Sequence, residues 1–152
     1  MAEIKGTAQV IQNLSKIKKA IFVEIVAGAQ AVQAKVINDA RSLCPVFNGT
    51  LSQSIQPGEI VVTDANITAE VIAHANYASF VEFGTRPHFP PVDALRDWAA
   101  RVLGDERLAF VVARAIARRG TYAKPFLGPA LTANTATYKR AIIAGIKRGL
   151  AA

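Results

Sequence analysis

The sequence predicts an α+β fold with a long N-terminal helix, a small antiparallel β-sheet and two or three further helices packed on it. Apolar residues recur every three or four positions over Thr7–Leu43, two short strand-like runs follow, and helical periodicity returns after residue 91. With 152 residues, of which 51% are hydrophobic, the chain is long enough for one domain with a core. We therefore expect a single domain over residues 1–152, with frayed ends at 1–6 and 149–152.

The first element is a helix from about Thr7 to Leu43. A continuous helix of this length would reach roughly 55 Å. That exceeds the width of a compact domain of this size, so part of its apolar stripe is expected to pack against another subunit. Gly28, which costs about 1 kcal/mol relative to alanine, leaves open a helix broken there and folded back on its own core. The stripe consists of Val10, Ile11, Leu14, Ile17, Ile21, Phe22, Ile25, Ala29, Val32, Val36, Ala40 and Leu43.

A β-hairpin is predicted after the first helix. Pro45–Gly58 is interpreted as a loop or short turn. The runs Glu59–Thr63 and Ile67–Ala73 are rich in β-branched residues, and Asp64–Asn66 between them has the composition of a turn. Partial alternation of apolar and polar residues in the second run indicates a sheet with one covered face.

Helices are expected again in the second half of the chain. Leu95–Val102 has its apolar residues on one face and stops at Gly104, and Asp105–Arg119 follows and stops at Gly120. The last helix begins near Pro129, because proline is allowed in a first helical turn. The residues expected to face inward are Leu95, Trp98, Ala99, Val102, Leu108, Val111, Val112, Ala115, Ile116, Leu131, Tyr138, Ile142 and Ile146.

An aromatic-rich stretch joins the hairpin to these helices. Tyr77, Phe80 and Val81 are spaced i, i+3 and i+4, which predicts one helical turn with these side chains buried. Gly84 can adopt the left-handed conformation that ends such a turn. Residues 84–91 include three prolines, which reduce the entropy lost when a loop orders at an interface. We therefore expect residues 84–91 to project as a stiff arm.

Three segments resemble, in the same order, motifs of one family. Tyr77–His88, YASFVEFGTRPH, is similar to YA-x-x-VE-x-GT-x-x; Cys44–Ile55 is similar to APV-x-TG-x-L-x-x-SI; and Gly120–Leu131 is similar to a closing PFL-x-PAL. These motifs are those of the HK97 gp10-like phage morphogenesis proteins, which are tail-completion or head–tail neck components. The chain departs from the pattern at Asn48–Thr50 and in the longer segment Phe89–Gly104.

The resemblance implies a structural virion protein of a tailed phage or prophage-derived particle. It would be a neck or tail-completion subunit, assembled in the host cytoplasm, that forms a ring between the head connector and the tail terminator or tube proteins. The resemblance makes Glu82 the residue expected to matter most for function. The alternative is that Glu82 only forms a local ion pair with Arg86 across Gly84, which would contribute little stability at a surface. The expected interface residues are Glu82, Gly84, Thr85, Arg86, Pro87, His88, Phe89, Pro90 and Trp98.

The sequence argues against an enzyme, a metalloprotein and a membrane protein. His74 and His88 have no partner at metal-ligand spacing, and nothing beside Cys44 would activate a thiolate. No P-loop, dinucleotide or Gly-x-Ser-x-Gly motif is present, so no cofactor is expected. No uninterrupted apolar run approaches the ~20 residues of a membrane span. The single cysteine and a start without signal-peptide organisation predict a cytoplasmic protein.

The net charge of +7 leaves two interpretations open, since it favours encounters with nucleic acid or acidic proteins but equally serves solubility. Basic residues concentrate near helix ends: Arg114, Arg118, Arg119, Lys139, Arg140, Lys147 and Arg148. They would contact packaged DNA non-specifically or meet acidic partners, or they would only complement helix dipoles. A basic DNA-binding accessory protein is therefore the alternative function. Trp98 also has two interpretations, a core residue or an interface hot spot.

Overall fold

The structure, a computed structural model, describes residues 7–45, 49–63 and 65–151. The helices are α1 (Thr7–Leu43), α2 (Thr50–Ser54), α3 (Ala78–Phe83), α4 (Val92–Leu103), α5 (Ala109–Arg119) and α6 (Leu127–Leu150), with a 3₁₀ turn at Glu106–Leu108. The strands β1 (Ile55–Val62) and β2 (Ile67–Ala73) form a two-stranded antiparallel sheet. The α+β prediction is confirmed. Residues 46–48 of the Cys44–Ile55 motif and Asp64 of the expected turn lie outside the described residues.

The chain divides into two compact units. The first unit comprises Met1–Asp39, Gln56–Ile72 and Ala130–Ala152, and the second comprises Ala40–Ile55 and Ala73–Pro129. Most of α1, the hairpin and most of α6 thus belong to the first unit, while α2 to α5 belong to the second. The single domain expected from the sequence stays a prediction.

In the first unit, α1 and α6 approach closely because glycines lie at their contact. A Cβ added at Gly145 of α6 would lie 2.8 Å from a backbone oxygen of α1, and Gly149 lies directly against Ile21. On α1, a Cβ at Gly28 would lie 3.1 Å from the carbonyl oxygen of Ala141. Since α1 continues through Gly28, this glycine serves a close helix approach and not a break.

The C-terminal end of α6 belongs to this packing. The helix continues to Leu150, and Gly149 is buried. Further along α6, the buried Asn134 donates a hydrogen bond to the Asp39 carboxylate at 2.7 Å, and the Tyr138 hydroxyl donates to the Ile67 carbonyl oxygen at 3.0 Å. These contacts connect α6 to both α1 and the hairpin.

The hairpin is fixed to α1 by one buried amide. Nε2 of Gln33 donates to the carbonyl oxygen of Gly58 on β1 at 3.0 Å and to that of Glu70 on β2 at 2.5 Å. Strand β1 begins at Ile55, before the predicted start at Glu59, so the loop expected over Pro45–Gly58 is wrong in its second half. The proline and glycine in this range suggested a loop, but each strand of a two-stranded sheet has a free edge, where both residues are tolerated.

The apolar stripe of α1 is buried only in part. Ile25, Ala29, Val32, Val36 and Ala40 are buried, as predicted. Five other members of the stripe are between 50% and 64% exposed: Val10, Ile11, Leu14, Phe22 and Leu43. The exposed members fit the expectation that part of the stripe lacks a partner within its own chain.

Among the described helices, α1 is long and apolar enough to cross a membrane. Core helices of soluble proteins meet the same criterion. The sequence contains no uninterrupted apolar run of that length, because lysines interrupt the first half of α1. Length and composition alone therefore carry no conclusion about a membrane.

The second unit is built around large and small apolar residues together. Phe126 and Ile55 are its largest fully buried side chains, and Ala99 of α4 and Ala113 of α5 are also fully buried. Gly104 ends α4 with a φ of 79°, as predicted. The helix expected over Asp105–Arg119 is instead a 3₁₀ turn followed by α5.

Four large residues expected to face inward are more than a third exposed: Val102, Leu108, Val111 and Leu131. The buried residues of α4 and α5 are alanines, Ala99, Ala109 and Ala113, and those of α6 are Ala130, Asn134, Gly145 and Gly149. Helices that approach closely place small residues at the contact, which moves the large apolar side chains to its margins. Periodicity identified the helices correctly but not which part of each stripe is buried.

Candidate functional site

Glu82 of α3 binds the start of α6. Its Oε2 accepts hydrogen bonds from the backbone N–H groups of Phe126 at 2.8 Å and Leu127 at 3.0 Å, and its Oε1 accepts one from Gly128 at 2.8 Å. The first N–H groups of a helix have no partner within the helix, so a carboxylate there satisfies them and complements the helix dipole. The alternative interpretation, a local ion pair between Glu82 and Arg86, is therefore wrong, because backbone donors bind the carboxylate.

These contacts lower the pKa of Glu82. Partial burial alone would raise this pKa, but the hydrogen bonds from Phe126, Leu127 and Gly128 favour the ionised form and outweigh it. Glu82 therefore stabilises the fold at neutral pH. That contribution is present above the ordinary pKa of 4.5 and is lost as the pH falls through the lower folded-state value.

A short antiparallel bridge lies beside this cap. The Thr85 N–H donates to the Thr121 carbonyl oxygen at 3.2 Å, and the Thr121 N–H donates to the Thr85 carbonyl oxygen at 3.3 Å. The adjacent glycines, Gly84 and Gly120, have φ values of 72° and 73°. A Cβ on Gly84 would lie 2.5 Å from the Thr121 carbonyl oxygen, and a Cβ on Gly120 would collide with the Thr85 carbonyl oxygen. We call this arrangement the clasp, formed by Glu82, Gly84, Thr85, Gly120, Thr121 and the backbone of residues 126–128.

The aromatic face of α3 points away from the core. The predicted burial of Tyr77 and Phe80 is wrong, since they are 38% and 59% exposed, and Val81 is half-buried. Ala78 is the buried residue of this helix. Because the clasp holds α3 through Glu82 and backbone contacts, the aromatic side chains are not needed to anchor it. Further exposed aromatic residues of the second unit are Phe83, Phe89, Phe110 and Tyr122.

The loop after the clasp is exposed but anchored. Residues 86–89 and 91 are exposed, while Pro90 is half-buried. The Phe89 ring packs edge-on against that of Phe110 on α5, with centroids 6.3 Å apart, and both rings are still more than half exposed. Thr85 and Phe89 thus hold the two ends of a short exposed segment, and the stiff projecting arm expected here stays a prediction. Trp98 of α4 is half-buried, which fits either of its two interpretations.

Three of the predicted basic residues lie together on α5. Arg114, Arg118 and Arg119 are exposed, and none pairs with a carboxylate of the described residues. Arg114 and Arg118 line a shallow groove of about 280 Å³ with Phe110, Val111 and Ala115. This groove lies on the helix that Phe89 contacts.

The other basic residues belong to the first unit, on α6. Arg148 forms an ion pair with Glu24 at 2.6 Å, and Arg140 bonds within its own helix, to the Ala136 carbonyl oxygen. Lys139 is exposed. The predicted basic group is therefore divided between the two units.

Cys44 and His88 are two residues whose side chains are capable of thiol or metal chemistry. Cys44 is buried, and burial raises the pKa of its thiol. Nδ1 of the exposed His88 lies 2.9 Å from the Arg86 carbonyl oxygen. Within residues 7–45, 49–63 and 65–151, no group of three His, Cys, Asp or Glu side chains is arranged to hold a metal ion.

Residues 8–84, half of the chain, match the sequence model of the HK97-gp10_like family, described as "Bacteriophage HK97-gp10, putative tail-component". The chain belongs to this family. No curated protein and no solved structure matches it significantly. Membership in the HK97-gp10_like family makes the chain a phage tail-component type of protein, and it confirms the family that the motifs indicated.

The matched range ends inside the clasp. The matched range includes the Cys44–Ile55 motif and the Tyr77–His88 motif as far as Gly84. The Gly120–Leu131 segment lies outside it. The clasp connects the Tyr77–His88 motif to the Gly120–Leu131 motif, because Glu82 of the former accepts hydrogen bonds from the backbone N–H groups of Phe126 and Leu127 in the latter. The partners of Glu82 could not be identified from side-chain chemistry, because the donors are backbone N–H groups. The signal was Pro129, which indicated a helix start whose N–H groups need an acceptor.

Proposed function

We propose that this protein is a neck or tail-completion subunit of a tailed phage or prophage-derived particle. In this role it assembles with copies of itself, as a ring, between the head connector and the tail terminator or tube proteins. The observation that carries the proposal is membership in the HK97-gp10_like family over residues 8–84. A subunit of this kind needs contact surfaces rather than a catalytic pocket. Both units supply them, because each carries large apolar side chains that are half or more exposed.

The first proposed contact surface is the anchored loop after the clasp. In this proposal Glu82, Gly84 and Thr85 act indirectly, because they fix the ends of the loop. Arg86, Pro87 and His88 are exposed between the two anchors and touch the neighbour directly, with Phe89 and Pro90 beside them. Little conformational entropy is lost on binding, since the prolines and the clasp already restrict the loop.

Replacing residues 88–91 with a glycine-serine linker tests this surface. We expect a folded, soluble subunit that no longer joins its own copies or its neighbours, as measured by thermal melting and by size in solution. A linker variant that assembles like the parent, or one that unfolds early, contradicts the interface role of the loop.

The second proposed surface is the arginine face of α5, which acts by charge towards an acidic partner. Changing Arg118 and Arg119 to glutamate should leave the circular dichroism spectrum unchanged and block particle maturation. The matched control changes Arg96 and Arg107 to glutamate, because each of these already has a carboxylate partner, Asp93 and Asp105 respectively. If the Arg118 and Arg119 variant forms normal particles, these arginines only cap the helix and keep the protein soluble.

The unpaired arginines also favour a second candidate function, a basic DNA-binding accessory protein. Phosphate contacts of this kind weaken steeply with salt and show no sequence preference. A duplex and a single-stranded oligonucleotide at moderate salt are the appropriate probes. Oligonucleotide binding by the parent that is lost in the Arg118 and Arg119 variant supports this candidate function. If the parent does not bind at moderate salt, the DNA-binding function is ruled out.

The decisive experiment for the main proposal is electron cryo-microscopy of intact particles. We expect density for this chain at the head–tail junction, arranged as a ring. A chain found only at the distal tail tip, or absent from particles that still require it for assembly, would contradict the neck assignment.

A further inference from the structure

The shallow groove on α5 combines apolar and basic side chains. Its lining consists of Phe110, Val111, Arg114, Ala115 and Arg118, and its volume is about 280 Å³. We call it the arginine groove. It is smaller than most pockets for small molecules, which begin at roughly 300 Å³. Its size therefore suits side chains presented by another protein surface.

The residues of the arginine groove are available to a partner. The buried residues of α5 are Ala109 and Ala113, which hold the opposite side of the helix in the fold. Val111 is 60% exposed. Arg114 and Arg118 are exposed and pair with no described carboxylate. Polar substitutions in the groove should therefore leave the fold intact.

The spacing of the two arginines calls for an anion. Arg114 and Arg118 are one helical turn apart, so their side chains are neighbours on the helix surface, and like charges at this spacing destabilise a helix. The helix dipole favours cations in the last turn, where Arg118 lies. Arg114 lies one turn earlier, where that effect has faded. An anionic group that binds both guanidinium groups accounts for the pair, whereas the dipole does not.

The apolar part of the groove favours a protein as the source of that anion. A guanidinium group binds a carboxylate or a phosphate through two parallel hydrogen bonds, so the arginines alone fit either. Phe110 and Val111 are both more than half exposed beside them. Non-specific DNA binding comes from phosphate charge and offers these side chains nothing apolar to contact. A protein segment supplies carboxylates and an apolar side chain together.

An amphipathic helix matches this arrangement in spacing as well. Carboxylates one turn apart on a helix are as close to each other as Arg114 and Arg118 are on α5. An apolar residue on the same face of that helix would then lie over Val111. Apolar anchors of an amphipathic helix in a groove are a common mode of protein recognition.

No described helix of this chain supplies such a partner. Asp93 and Asp97 of α4 are the two carboxylates one turn apart among the described helices. Asp93 already pairs with Arg96, with an N–O distance of 3.1 Å. The basic Arg96 and Arg101 also lie on α4, so this helix is not acidic overall. The partner that fits the groove is therefore a different protein and not a second copy.

We propose that the arginine groove binds an acidic amphipathic helix of another protein. The inference rests on the arginine face of α5 proposed above as a contact surface, and it names the chemistry of the partner. Two carboxylates one turn apart bind Arg114 and Arg118, and an apolar side chain of the same helix packs on Val111.

Single arginine variants test the charged half of the site. The probe is a fluorescein-labelled synthetic helical peptide with two glutamates one turn apart and leucines on the same face, and fluorescence anisotropy measures its binding to the full chain. We expect Arg114→Gln and Arg118→Gln each to weaken binding about 10-fold or more. Arg119→Gln is the matched control, because Arg119 is exposed and unpaired among the described residues but does not line the groove. Equal losses in Arg118→Gln and Arg119→Gln would show that net charge alone is responsible and would overturn the site.

The apolar half of the site needs its own variant and its own probe. Val111→Ser should weaken binding of the same peptide about 10-fold, because an exposed apolar contact is lost while the arginines remain. A peptide with serines in place of the leucines, and another with glutamines in place of the glutamates, should both bind the parent weakly. Circular dichroism establishes that all the variants are folded. If the serine peptide binds as tightly as the leucine peptide, the groove recognises charge only and the proposal is wrong.

The remaining outcomes separate this inference from the proposed function. A parent that does not bind the acidic leucine peptide refutes the groove, but its presence in a neck ring by electron microscopy would leave the neck subunit standing. A chain found outside the neck whose groove binds the peptide as expected refutes the neck role and supports the groove. A single-stranded oligonucleotide that binds more tightly than the peptide, and is lost in Arg114→Gln, would assign the groove to nucleic acid and overturn the proposal.

Discussion

The two units of this protein are stabilised by different kinds of contact. In the first unit, α1 and α6 meet through glycines at Gly28, Gly145 and Gly149, so the two helix backbones approach closely. In the second unit, the carboxylate of Glu82 binds three backbone N–H groups beside the fully buried Phe126. A close helix pair tolerates little added volume, whereas a capped helix depends on one ionised group. The two units should therefore respond differently to substitution and to pH.

The largest effect is expected in the core of the second unit. Phe126→Ala should lower the free energy of unfolding by about 3–5 kcal/mol, because it removes a large side chain that is only 1% exposed. Phe80→Ala is the matched control: the same truncation at a residue 59% exposed should cost less than about 1 kcal/mol. Urea denaturation compares the two variants. Equal losses would mean that the aromatic face of α3 is buried in solution.

The next effect concerns the close approach of helices in the first unit. Gly145→Leu should cost about 1–3 kcal/mol, because the added side chain has to push α6 away from α1. Ala136→Leu, at an exposed position on the same helix, should change the stability by less than about 0.5 kcal/mol. Thermal denaturation checks both. A neutral Gly145→Leu variant would show that the two helices separate easily.

A smaller and pH-dependent effect is expected at the clasp. Glu82→Gln should cost about 1–2 kcal/mol at pH 7, because the amide lacks the charge and turns its NH₂ group towards backbone donors. Since the pKa of Glu82 is lowered in the folded state, the gap between parent and variant should shrink once the pH falls below about 4.5. Chemical denaturation at several pH values measures the gap. Glu106→Gln, at an exposed position outside the clasp, is the control.

The smallest effect is expected at Cys44. Cys44→Ala should cost about 1 kcal/mol, through the loss of a buried sulfur atom, and should leave assembly intact. The parent thiol should react slowly with a disulfide reagent, because it is buried and its pKa is raised. Loss of assembly in a folded Cys44→Ala protein would contradict the structural role.

The sequence predicted the elements of this fold better than their contacts. The bounds of α1 were predicted correctly, because its periodic apolar pattern continues over ten turns without proline. The burial of Phe80 was predicted wrongly, since a helix as short as α3 gives a face but no indication of which face is covered. The partners of Glu82 could not be predicted, because backbone N–H groups leave no trace in side-chain chemistry. Charged residues suggested Arg86 instead.

The clasp also determines where this chain tolerates change. Thr85 and Thr121 are 36 positions apart, and the loop that they close contains α4, the 3₁₀ turn and α5. The entropy of closing a flexible loop grows only with the logarithm of its length, so doubling that length costs about 0.6 kcal/mol. Phe89–Gly104, which is longer than the minimal family pattern, lies wholly within the closed loop. Extra residues in an exposed part of the segment between the two threonines, such as the turn at Gly104, should therefore cost little, because the clasp holds both ends of the segment in place.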